Sequence, residues 1–241
     1  MIPVVLYVVI EVLLLIAIKV LDAFQPYSVT GKVEYAAIVL SFLATLIIFL
    51  KKRAAAKRES DEKPRISGLF ERVAIPAAMT VTLIADTFLV LLESCSVPRV
   101  NLPGVLSFCV VQTIYALYLD RKLPVLLIRI GAFLSVTAAL YFLHMAEPLN
   151  IAAGWSIVQL AGNVIAGFRN FSKAKKKGGG VLSARLLAIG LTLFLCCDLC
   201  VGLYNLTAGT ESTALYAASY FMIWIFYLPS QVLIPLSFLF N

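Results

Sequence analysis

Two aspartates sit inside stretches that are otherwise apolar. Asp86 lies in Leu83-Ile84-Ala85-Asp86-Thr87-Phe88-Leu89, and Asp198 in Leu195-Cys196-Cys197-Asp198-Leu199-Cys200-Val201. Arg72 precedes Asp86 by 14 residues, and Arg185 precedes Asp198 by 13. On helices that rise about 1.5 Å per residue and run the same way, that spacing sets both carboxyls at nearly one depth. Two carboxylates sharing a low-dielectric cleft settle with one protonated and one ionised. That pairing performs acid/base cleavage of acetal-like C–O bonds. Two other accounts fit the same residues: each Asp hydrogen-bonds a Thr, Tyr or Gln on a neighbouring helix, or the pair lines a proton or cation path. Glu11 is a third deep carboxylate. An ionisable group in hydrocarbon costs at least ~2.5–3.5 kcal/mol, so each of the three needs a partner or a purpose.

Other polar side chains gather on helix faces. Gln112 and Tyr115 are three apart, with Tyr118 continuing the row, and Gln159 and Asn163 are four apart. Tyr220, Trp224, Tyr227 and Gln231 follow at steps of four, three and four, which places them on one stripe. Packing or interface anchoring accounts for the aromatics, and interhelical hydrogen bonds account for the amides. A buried amide nevertheless needs several partners, which keeps Gln112 and Gln231 among the binding candidates. Nucleophilic hydrolysis has no Gly-x-Ser-x-Gly elbow to rest on. The five cysteines are odd in number and mostly within apolar runs, which argues against a disulfide framework. Cys197 and Cys200 form a lone C-x-x-C, and His144 is the single histidine, so no metal site is expected.

The elements that must position these residues are membrane spans. Of 241 residues, 61% are apolar and 14% charged, with a mean hydropathy of +0.96. That composition excludes a soluble domain and leaves no room for a second, aqueous one. Eight spans are predicted at 3–20, 33–50, 69–94, 102–119, 123–145, 151–168, 181–204 and 213–234, forming a single all-α polytopic domain. Pro229 and Pro235 predict a last span that ends near Pro229 with a kinked extension. The opening segment has no basic start or small-residue cleavage site, so it is read as a span and not a cleaved signal. The net charge of +7 comes mostly from alternate loops: Lys51 to Arg65, Arg121 with Lys122, and Arg169 to Lys177. Basic loops on every second turn place those loops and both termini in the cytoplasm, as expected of a multi-pass cell-membrane protein. Membrane orientation thereby accounts for the charge, and nucleic acid is not expected as a partner. Lys175-Lys176-Lys177-Gly178-Gly179-Gly180 reads as a flexible linker. Arg129, in the inner third of the fifth span, is expected to pair with a carboxylate or a lipid phosphate, or to snorkel.

With these residues in view, the chain resembles the YhhN family of eight-span membrane proteins, which includes the transmembrane lysoplasmalogenases. Leu83 to Leu89 is similar to that family's Gly-Asp-x-x-Leu segment, and Phe194 to Asp198 to its Phe-x-x-Ser-Asp segment. Phe226-Tyr227-Leu228-Pro229-Ser230-Gln231-Val232-Leu233-Ile234 resembles the Tyr-Tyr-x-x-Gln-x-Leu-Ile ending. Phe108, Gln112 and Tyr115 fall where the family has Phe-x-x-x-His-x-x-Tyr, so Gln112 replaces a histidine, as Ala85 replaces a glycine and Cys197 a serine. The resemblance covers roughly residues 69 to 234. It implies hydrolysis of the vinyl ether bond of a lysophospholipid substrate, without a cofactor. Asp86 and Asp198 would be the acid/base pair, with Gln112, Tyr115, Tyr227 and Gln231 orienting water and the polar head. A parallel repeat is a further expectation, since spans three–four and seven–eight each place an Asp before a later Gln and Tyr.

Overall fold

The computed structural model describes residues 2–25, 27–59, 66–207 and 213–240. All of the regular structure within them is helical. The helices are α1 (Ile2–Phe24), α2 (Tyr27–Glu59), α3 (Ile66–Asp86), α4 (Asn101–Leu119), α5 (Leu123–Phe142), α6 (Pro148–Lys177), α7 (Val181–Thr207) and α8 (Thr213–Leu239). A π-helical segment, Thr87–Leu92, extends α3. Eight helices are long and apolar enough to cross a membrane, as the hydropathy predicts. Each satisfies its backbone hydrogen bonds internally, which hydrocarbon demands.

The helices run longer than hydropathy alone suggests. Only residues 25 and 26 separate α1 from α2, so Lys32 lies within a helix and not in a loop. The linker expected at Lys175–Gly180 is reduced to three glycines, because the lysines form the last turn of α6. Lysines there favour the helix because its C-terminus carries partial negative charge. Gly178 then ends the helix in the left-handed conformation (φ 72°) that glycine tolerates best. The expected stop near Pro229 is also absent: α8 runs through Pro229 and Pro235 to Leu239. Ser230 and Ser237 bond the carbonyls of Tyr227 and Ile234 at 2.6 Å, so local hydroxyls supplement the backbone near each proline.

The α7–α8 pair forms the most extensive seam, and α8 also touches α1, α2 and α3. Its spanning window is 61% buried, against 6% for α5, which packs on α6 alone. The bundle is therefore organised around α8, with α5 at its periphery. Contacts gather the basic segments at one end. Arg121 lies over the Phe70 ring, Lys52 over Phe238, and Arg169 pairs with Asp120. Partial burial pushes the Asp120 carboxyl up, but the Lys122 backbone N–H and the Arg169 guanidinium outweigh it and hold Asp120 below the usual carboxylate range.

The closeness of the α7–α8 seam depends on Gly190, where an added Cβ would sit 3.0 Å from Ile234 Cγ1 and 3.3 Å from Leu233 Cβ. Gly131, on peripheral α5, has nothing within 4 Å of that position. Gly190→Val is expected to cost about 1–3 kcal/mol through overpacking, whereas Gly131→Ala is expected to be neutral or to stabilise by up to ~1 kcal/mol. Thermal unfolding in detergent reads both, and an unchanged midpoint for Gly190→Val would show that the seam is not close-packed.

Candidate active site

Asp86 closes the α-helical part of α3 and is 2% exposed. Its carboxyl accepts a buried hydrogen bond from the Tyr227 hydroxyl of α8. Asp198, on α7, lies within electrostatic reach of Asp86, and Cys197 and Tyr227 each sense both carboxyls. Among the described residues no hydrogen bond engages Asp198, so its oxygens are free to meet a ligand or water. α3 and α7 do not pack directly on one another; α8 touches both and brings Tyr227 to the pair.

Local structure explains why Asp86 can be held there. The helix changes from α to π immediately after it, and such wide turns alter which way the following side chains point. The bulged segment needs room on both sides. Gly31 of α2 supplies it against Ser94, where a Cβ would come within 2.5 Å of Ser94 Cβ, and Gly104 of α4 supplies it against Leu89. Thr87 Oγ1 donates to the Leu83 carbonyl at 2.7 Å and also meets the Tyr35 hydroxyl of α2 at 2.9 Å. Aromatic rings back the site in a row. Phe108 meets Phe194 edge-on, Phe194 meets Tyr227, and Trp224 packs against the other side of Tyr227, all at 5.5–5.6 Å between centroids. Three helices thus supply an apolar wall behind one carboxyl pair.

The remaining residues singled out from the sequence are divided. Gln231, four residues beyond Tyr227 on α8, is 1% exposed; its amide donates to Ser230 at 3.3 Å, and its Oε1 has no partner among the described residues. Gln112 belongs to a different group, accepting from Asn163 at its backbone oxygen and at Oε1. The Tyr115 hydroxyl points to the Met79 sulfur at 4.0 Å. Neither is hydrogen-bonded to an aspartate among the described residues: Gln112 is joined to Asn163 of α6, and Tyr115 to Met79 of α3, the two helices on which α4 packs most extensively. The repeat expected between spans three–four and seven–eight is likewise not mirrored in the contacts. Asp86 takes a tyrosine from the other half, while Tyr115 takes a methionine.

Glu34 escapes a hydropathy reading. It lies next to the predicted start of span two, which marks it as interfacial, yet α2 begins seven residues earlier and buries it completely. Its oxygens lack hydrogen bonds of good geometry, although Trp224 is close enough to interact and Asp22 and Lys19 act on it electrostatically. Glu11 accepts from Ser41 at 2.8 Å, and Ser41 accepts from Tyr7 at 3.1 Å. A cavity of about 320 Å³ opens at the basic end, lined by Glu71, Tyr118, Asn170, Gly180, Ser183 and Leu187. Leu187 is 11 residues before Asp198, roughly 16 Å along the helix, so that cavity is separate from the carboxyl pair.

No family model, no curated protein and no solved structure matches this chain.

The Tyr227–Asp86 bond crosses from α8 to α3 where water has little access, so losing it leaves a buried carboxyl short of a partner. Tyr227→Phe is expected to destabilise by about 1–3 kcal/mol. In a double-mutant cycle with Asp86→Asn, a coupling of about 1 kcal/mol or more is expected, measured by unfolding in detergent. Additive effects of the two substitutions would show that the bond is not made in the membrane-extracted protein.

Proposed function

We propose that this protein is a membrane-embedded hydrolase that cleaves the vinyl ether bond of lysoplasmalogens, releasing a fatty aldehyde and a glycerophospho-headgroup, with its basic end in the cytoplasm. The observation that carries the reading is the carboxyl pair: Asp86 buried and held by Tyr227, with Asp198 in electrostatic reach and free of hydrogen bonds. The likeness of the segments around Asp86, Asp198 and Tyr227 to the YhhN family supplies the substrate class.

The chemistry asks for two carboxyls in different states. The protonated member of the pair donates its proton to the vinyl carbon that is not bonded to oxygen, which moves positive charge onto the carbon–oxygen unit as an oxocarbenium ion. The ionised member stabilises that cation and removes a proton from the attacking water. The resulting hemiacetal breaks its bond to the glycerol oxygen: the carboxyl that took the water proton gives it to that departing oxygen, and the hemiacetal hydroxyl gives its proton to the carboxylate that began as the acid. Water is thereby divided between aldehyde and alcohol, and both carboxyls recover their starting states. Tyr227 positions Asp86, and the unpaired Gln231 Oε1 is available to accept from water. The aromatic row from Phe108 to Trp224 offers an apolar surface to the alkenyl chain. Gln112 and Tyr115 receive no role at the reacting atoms.

A proton-coupled transporter is the second reading. It is favoured by Glu11 and Glu34, two further buried carboxyls on α1 and α2 that hydrolysis does not use. Saturable uptake without chemical turnover would select it, and lipid binding without either would indicate a catalytically inactive membrane protein.

Purified protein is expected to release aldehyde from a lysoplasmalogen and none from the ester lysophospholipid of the same headgroup. Asp86→Asn and Asp198→Asn are each expected to lower that rate by about 10²–10⁴-fold, the usual worth of a general acid or base. Full activity in either folded variant would remove the paired-carboxyl mechanism.

A further inference from the structure

Arg129 stands apart from everything used so far. It is the seventh residue of α5, is 5% exposed, and faces α6, the one helix on which α5 packs. It neither snorkels nor pairs with a carboxylate. Its Nη1 donates to the Gln159 carbonyl at 3.2 Å, to Gln159 Oε1 at 3.0 Å and to Asn163 Oδ1 at 2.7 Å. The close approach depends on Gly162, where a Cβ would fall 2.8 Å from the guanidinium carbon. Asp120 is the carboxylate that acts on Arg129 electrostatically, and it is already engaged by Arg169 and by the Lys122 N–H.

A guanidinium can only donate, and this fixes the amides around it. Gln159 and Asn163 must turn their oxygens to Arg129, which turns their NH₂ groups away. The Asn163 NH₂ then donates to Gln112, whose Oε1 is consumed in turn, leaving the Gln112 NH₂ facing away as well. The network therefore spends its side-chain acceptors internally and is left with donors. Arg129 Nη2, Gln159 Nε2 and Gln112 Nε2 are all buried without a partner among the described residues, as is the Ser156 hydroxyl one turn from Gln159. A buried cation that neighbours spare donors and has no carboxylate in hydrogen-bonding contact among the described residues is chemically incomplete, because each unmet buried donor and the charge itself carry a desolvation cost. What completes it is an acceptor-only anion offering several oxygens, the geometry that guanidinium and amide groups match best.

We infer that Arg129, Gln159, Gln112 and Asn163 form an intramembrane binding site for a phosphate-type oxyanion, carried either by a phospholipid headgroup or by a free ion. The site is carried by α4, α5 and α6, and none of its residues is hydrogen-bonded to Asp86 or Asp198 among the described residues. Trp155 of α6 is a built-in reporter: it is one turn from Gln159, and its indole N–H meets Thr113, the residue after Gln112, at 3.4 Å.

The test uses delipidated full-length protein in a neutral detergent, titrated with sodium phosphate at ionic strength held by sodium chloride. A parallel titration uses dioleoyl phosphatidic acid in the same micelles, with tryptophan emission and thermal unfolding as readouts. A saturable change with a rise in unfolding temperature is expected in at least one arm. Response to inorganic phosphate identifies a free ion, and response to phosphatidic acid alone identifies a headgroup. Gln159→Glu places a carboxylate beside Arg129 and should weaken the response at least tenfold while holding or raising the unfolding temperature without ligand. A merely structural arginine predicts no ligand response to lose. Arg129→Gln serves as a second variant and should also abolish binding. No saturable response in either arm, or an undiminished response in both variants, overturns the inference.

Discussion

Hydrocarbon offers polar atoms nothing to bond with, so each polar side chain within this bundle is satisfied by its own helix or by another, or stands as an unmet demand. That constraint organises the molecule more than any single apolar contact does. Asp86 is met by Tyr227, Glu11 by Ser41, and Asn163 joins Arg129 to Gln112. The atoms left over are informative for the same reason. They lie at Gln231, at Glu34, at the second oxygen of Glu11, at Thr82 and around Arg129, and each marks a place where the described residues do not close the hydrogen-bond ledger.

The α8 helix is the element through which these demands are routed. It carries Trp224, Tyr227 and Gln231 on one stripe and touches α1, α2, α3 and α7. Its partner α7 comes close along Gly190 and carries Asp198 within electrostatic reach of Asp86, although α3 and α7 do not pack directly on one another. The π-helical turn after Asp86 serves the same arrangement, since it interrupts the helical register just where the carboxyl must meet α8. Room for that turn comes from glycines on both flanking helices. A donor-rich group is carried by α4, α5 and α6, with peripheral α5 held to α6 by Arg129. Polar chemistry is thus divided between two centres with opposite needs: carboxyls at one, unmatched donors at the other.

Much of this was legible before any coordinates. Hydropathy located eight spans because a run of about 20 apolar residues has few other stable destinations. The steps between Tyr220, Trp224, Tyr227 and Gln231 placed them on one face because helical geometry leaves no freedom there. Asp86 and Asp198 were marked by the cost of burying them. Helix ends were less legible, since α6 and α2 continue as helix past the hydrocarbon, where charged residues no longer register as span. Glu34 lies at the start of the predicted second span, yet its complete burial follows from packing and not from hydropathy, and Pro229 suggests a break that dense packing on α7 makes unnecessary.

By itself the sequence determined the helical class, the number of spans, the faces that carry polar groups and the two aspartates, because each follows from local periodicity or from transfer out of water. Which residues meet was decided only by the tertiary structure. Gln112 and Tyr227 were equal candidates as partners for the carboxyls, yet rotation of α4 gave Gln112 to Asn163 while α8 gave Tyr227 to Asp86. The physical reason is that a helix fixes the angle of its side chains about its own axis but not the neighbour towards which that angle is turned. That choice belongs to interhelical packing, where small residues such as Gly162 and Gly190 set how closely two axes approach.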